Sequence, residues 1–166
     1  MFYYQILIFG AMYDGLLHLH SGLRWILLIA LVYAIFNAWN RWKDGAKYNV
    51  KDKTLNTVTM ALLHTQFLIG LIMYIMNFAG SGGKYEYAFN NPGDAMGDST
   101  GRFFIMEHLV LMLAAVVLVT IGRKRAQSHP DPKKKHRRIM VWYAIGLLII
   151  LAGIPWPFRF ETSGWF

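Results

Sequence analysis

The stretch LHLHSGLRWILLIALVYAIF, residues 17–36, opens on two histidines and an arginine, then runs apolar for the twelve residues 25–36. A bilayer core is crossed by about 20 mostly apolar residues at a helical rise near 1.5 Å each, and a span over 16–39 meets that length. Working outward, three more apolar stretches follow, at 55–78, 103–121 and 139–154. The last stops at Pro155-Trp156-Pro157, where two prolines remove backbone donors and block continuation. None of the four shows the alternation of a lipid-facing strand. The spacing predicts an all-α integral membrane protein, a four-helix up-down bundle forming a single transmembrane domain over 1–166.

Composition agrees. The chain is 55% hydrophobic and only 16% charged, less charge than a soluble domain of this size carries on its surface. It has no cysteine, which excludes disulfides, thiolate metal sites and thiol catalysis. Phosphate loops, HExxH, nucleophile elbows and paired catalytic carboxylates are missing as well, so no hydrolase is indicated. The formal charge of +8 is concentrated between the apolar runs, with no nucleic-acid-binding fold around it. Nucleic acid is therefore not an expected partner; membrane lipids are.

Orientation follows from the basic residues of the short loops. Arg41, Lys43, Lys47, Lys51 and Lys53 lie between the first two spans, and Arg123, Lys124, Arg125, Lys133, Lys134, Lys135, Arg137 and Arg138 between the last two. These are thirteen of the seventeen Lys and Arg residues. Both basic loops are expected in the cytoplasm, with the N- and C-termini and the middle loop outside. His129 and His136 fall in the second basic loop and read as solvated. The middle loop GSGGKYEYAFNNPGDAMGDST, 80–100, reads equally as a lid or a flexible connector. The opening MFYYQILIFGAM, 1–12, is short for a span and lacks the flanks of a signal peptide; it reads as an interfacial or packing segment, or as an extension upstream of Met12. The closing PWPFRFETSGWF, 155–166, reads as an interfacial aromatic belt.

Ionisable residues inside spans are costly and point to sites. His18, His20 and Arg24 open the first span, His64 lies in the second, and Glu107 and His108 begin the third. The first and third spans run the same way, and His20 and His108 enter them at depths differing by about 3 Å. Helices one and three of an up-down bundle can face each other across the core, so two imidazoles at one level could ligate a planar cofactor from both sides. Haem is the natural candidate. Arg24, one turn after His20, and Arg102 and Arg159 at the same outer level could pair with haem propionates, or snorkel to headgroups. His64 lies near the midplane; it either hydrogen-bonds a neighbouring helix or serves as a second or alternative iron ligand. His18 could substitute for His20. Glu107 could orient a histidine, assist quinol deprotonation, or satisfy the dipole at its helix N-terminus. The methionines Met60, Met73, Met76, Met106, Met112 and Met140 read as flexible core filling.

At LHLHSGLRWILL, LLHTQFLIGLIMY, FFIMEHLVLMLA and KKKHRRIMVWYAIGLLIILAGIPWP the chain resembles a family of small four-helix inner-membrane proteins of Bacteroidota, often labelled cytochrome b-like. More distantly it is similar to haem A synthases and to membrane haem-b carriers of the quinol-oxidising type. The resemblance covers nearly the whole chain from Met12. It implies a multi-pass protein of a bacterial inner membrane, with His18 or His20, His64 and His108 at the matching positions. The expected function is that of a haem-b-binding subunit of the respiratory chain, transferring electrons between the quinone pool and an outer-side partner. The competing expectation is a cofactor-free accessory subunit of a larger respiratory or secretion complex. A larger membrane complex or a homo-oligomer is the expected assembly.

Overall fold

The computed structural model describes residues 2–78 and 84–160, with side chains from residue 8 onward. All regular structure among the described residues is helical, and four helices are long and apolar enough to cross a membrane. Helix α1 spans Phe2–Lys43 and α2 spans Val50–Phe78. Three short helices come next, α3 Glu86–Asn90, α4 Pro92–Gly97 and α5 Ser99–Arg102. A π turn, Phe103–Glu107, joins α5 to α6, His108–Gln127, and α7 covers Pro132–Gly153.

The helices outrun the apolar runs that announced them, because polar residues at their ends supply caps rather than breaks. Residues 2–12 are helical and continuous with α1, which runs on through Asp14 and Gly15 without a break. Helix α1 ends in a Schellman arrangement: Gly45 takes φ +61°, its N–H bonds Trp42 O at 3.3 Å, and Ala46 N–H bonds Arg41 O at 3.0 Å. Glycine carries that left-handed backbone at little cost. Asn49 and Asp52 start α2 with a reciprocal box. The Asp52 N–H donates to the Asn49 side chain at 3.1 Å, and the Asn49 N–H donates to the Asp52 carboxylate at 2.9 Å. Asp131 caps α7 by accepting the Lys133 N–H at 2.9 Å, with Pro132 in the first turn.

Contacts along each helix pair fix an antiparallel ring α1–α2–α6–α7. Tyr13 meets Asn77 and Asn37 meets Asp52 between α1 and α2. Thr57 meets Arg123 and His64 meets Thr120 between α2 and α6. His108 meets Gly153 between α6 and α7, and Trp25 at α1 meets Trp156 just past α7. Helices α6 and α7 pack most closely. A Cβ on Gly122 would overlap Trp142, one on Gly146 would lie 2.5 Å from Val119, and one on Gly153 would overlap Met112. Small residues let helix backbones approach closely.

The inward seams advance by alternating steps of three and four, the heptad pattern of left-handed bundles. Helix α1 turns 13, 17, 20, 24, 27, 31, 34 and 38 inward; α2 turns 52, 56, 59, 63, 66, 70, 73 and 77. Helices α6 and α7 do the same at 108, 112, 115, 119, 122 and 126 and at 136, 139, 143, 146, 150 and 153. Outward faces are apolar instead: Ile29, Val32 and Phe36 on α1, Leu68 and Ile75 on α2, Val110 and Leu113 on α6, and Leu148 on α7 are all exposed.

His136 corrects the sequence expectation of a solvated loop residue. Helix α7 begins at Pro132 and places His136 on its seam, 1% exposed and 5.1 Å from the Tyr48 ring. It belongs to a polar cluster at the basic end of the bundle. There Asp52, 3% exposed, pairs with Arg41 at 2.8 Å, and the Tyr143 hydroxyl donates to Asn56 O at 2.8 Å across the α2–α7 diagonal.

Candidate functional site

At the opposite end the other diagonal, α1–α6, is bridged by imidazoles. The His20 and His108 rings lie 6.4 Å apart, centroid to centroid, with their planes inclined at 68°. Both are on the inward seams, and both line a mostly apolar cavity of about 200 Å³ between α1, α2 and α6.

The two rings are held differently. His108 Nδ1 lies 2.7 Å from the Gly153 carbonyl. A carbonyl only accepts, so Nδ1 carries the proton and the Nε2 lone pair of the neutral ring stays available. His20 is located through its backbone and its neighbour. Gln66, itself buried, donates to His20 O at 2.8 Å, and a Cβ on Gly70 would come 2.9 Å from His20 Cε1. The His20 Nδ1 is buried without a hydrogen-bond partner. Arg24 is partly buried one turn further along α1, lines the same cavity and lies 5.3 Å over the Trp25 ring.

The π turn stands directly before His108. Within it the His108 N–H bonds Phe103 O, and the Tyr74 hydroxyl donates to the Ile105 carbonyl at 2.8 Å. Such turns insert a residue and so rotate the side chains on one side relative to those on the other.

The middle segment is structured where it is described. Phe89 is buried against Tyr74 and Phe78 at centroid distances of 4.8 and 4.7 Å, and Tyr85 stacks on Phe104 at 3.9 Å. Asn77, 3% exposed, fastens it by accepting the Tyr85 N–H at 2.9 Å. Lys84, Tyr85 and Phe89 therefore roof the cavity. Residues 79–83 of that loop, and 161–166 of the aromatic C-terminal segment, lie outside the described residues.

The remaining sequence candidates are placed elsewhere. His64 is exposed, one position off the α2 seam, and its Nε2 lies 2.9 Å from Thr120 Oγ1, the neighbouring-helix bond that was one of its two expected roles. His18 is exposed, two positions from His20 on the outer side of α1. Glu107 bridges two cations, Arg102 at 2.9 Å and Arg159 at 3.7 Å, and none of the three lines the cavity. Only Arg24, of the three expected arginines, reaches it. Sequence reasoning missed Gln66, Gly70 and Asn77. For Gln66 and Asn77 the signal was present: with Asp52, Asn56 and Thr59 they lie on a single seam of α2.

Among the described residues, no group of three or more His, Asp or Glu side chains gathers as a shell for a bare metal ion. Two imidazoles are, however, all that a tetrapyrrole iron asks of a protein, because the macrocycle supplies the other four nitrogens. With an imidazole–metal bond of about 2 Å and roughly 1 Å from ring centre to nitrogen, two trans imidazoles hold their centroids roughly 6 Å apart. The observed centroid separation of 6.4 Å is close to that span, and the His20 Nδ1 has no hydrogen-bond partner. No protein-family model, curated protein or solved structure matches this chain.

Proposed function

We propose that this chain is a haem-b-binding subunit of a bacterial inner membrane that passes electrons between the quinone pool and a partner on the outer side. The observation that carries the proposal is the pair His20 and His108, which face one cavity from opposite helices at 6.4 Å, with the His108 Nε2 lone pair left available. In this reading His20 and His108 would hold the haem iron, and Arg24 would supply a cation for a propionate. Haem contributes one-electron redox chemistry when bound. The residues of the chain itself bind, orient and keep water out: Gln66 and Gly70 locate His20, Gly153 orients His108, and Phe89 and Tyr85 cover the cavity. His64, bonded to Thr120, has no part in this ligand pair.

Membrane insertion is supported by the outward apolar faces, which water would not tolerate over so large an area. Orientation is supported by the basic residues gathered at one end, which the positive-inside rule assigns to the cytoplasm. The histidine pair then lies near the outer surface.

The test is the absorbance spectrum of detergent-purified protein from haem-replete cells. A Soret band that shifts on dithionite reduction is expected, and it is lost in the His20→Ala/His108→Ala variant while the helical circular dichroism stays. A colourless wild-type protein overturns the proposal and leaves the cofactor-free accessory subunit in its place.

A further inference from the structure

The C-terminal end of α7 is short of backbone donors. Pro155 forces Ile154 out of the helical region, to φ −76° and ψ 131°, and α7 stops at Gly153. The carbonyls of Leu151, Ala152 and Gly153 would ordinarily accept from residues 155, 156 and 157, but Pro155 and Pro157 have no N–H. Each carbonyl finds a substitute. Leu151 O accepts the Trp156 indole N–H at 2.9 Å, and Ala152 O accepts Arg159 at 3.1 Å, the Trp156 N–H having turned to Ile154 O. Gly153 O accepts His108 Nδ1–H at 2.7 Å. Gly153 also admits α6 to that distance, since a side chain there would overlap Met112.

We infer that the Gly153–Pro157 segment is a positioning device for His108: by withholding the intrahelical donor from Gly153 O, the prolines commit that carbonyl to the imidazole and fix its tautomer and rotation. The inference rests on the haem reading for its purpose, though not for its geometry. Partners of this kind set the tautomer of a ligating histidine and raise its basicity, and losing one typically weakens metal affinity roughly 10- to 100-fold. The Pro155→Ala/Pro157→Ala variant lets α7 continue and gives Gly153 O its own N–H donor.

Two measurements separate this inference from the haem proposal. In haem-free protein, nitrogen-15 NMR of the histidine rings is expected to show His108 as the Nδ1–H tautomer with a slowly exchanging proton, and the double variant is expected to show mixed tautomers with fast exchange. A wild-type His108 protonated at Nε2 overturns the inference whether or not the variant folds, as does a folded variant with an unchanged ring. In haem-loaded protein, the variant is expected to bind haem roughly 10- to 100-fold more weakly with a more positive reduction potential; unchanged affinity and potential also overturn it. If the tautomers behave as expected and neither protein takes up haem, the haem proposal falls and the positioning of His108 stands.

Discussion

At the scale of single residues, the site depends on what is small or polar beside each histidine. Gly70 meets the edge of the His20 ring, where a methyl group would stand 2.9 Å from Cε1. Gly70→Ala must therefore rotate the imidazole or push α1 from α2, an overpacking cost of about 1–3 kcal/mol. The expected outcome is a lower melting temperature in detergent together with reduced haem content, whereas Gly22→Ala, with open space around it on α1, changes neither. The nearness of His20 to His108 was legible from two facts of sequence, the shared direction of their helices and their matching depth. Gly70 was not, because a glycine inside a span reads as neutral until the ring beside it is known.

At the scale of elements, the three-and-four seams decide which polar residues face inward. His20 lies on the α1 seam and His18 does not; Leu63 lies on the α2 seam and His64 stands one residue beyond it. A three-and-four seam running from 52 to 77 turns His64 outward on sequence spacing alone. Counting apolar residues found the spans but gave no azimuth, so His64 stayed a candidate and His136 read as loop. The helix ends were less legible, since caps such as Asn49 with Asp52 extend helices into stretches that composition marks as polar. Along the closest pair of helices, Gly146→Ala sets a methyl 2.5 Å from Val119, and destabilisation of about 1–3 kcal/mol is expected. Unfolding in mixed micelles reads this directly. Gly146 is not among the residues that line the cavity, so the haem content of this variant should match that of wild type.

For the whole molecule, the bundle divides its polar interior between two ends, a histidine pair on the α1–α6 diagonal and the Asp52–Asn56–Tyr143 cluster on the α2–α7 diagonal. Bundle class and the number of long helices were legible from four apolar runs. The roofing of one end was not, because Phe89 and Tyr85 gain their places only from tertiary contacts with α2 and Phe104. Which end faces the cytoplasm is open to direct measurement, and the absence of native cysteine makes single-cysteine labelling clean. In right-side-out vesicles, Asp94→Cys is expected to react with a membrane-impermeant maleimide and Ser128→Cys only after lysis; the reverse pattern would invert the orientation. The π turn at Phe103–Glu107 couples roof to bundle in a particular way. It stores one residue more than an α-helical turn needs, so deleting one position there can leave an unbroken helix while twisting all that precedes it by about 100°. Such a deletion would swing the canopy around its stalk and keep His108 in register, so that access to the cavity and the chemistry of its floor can vary independently.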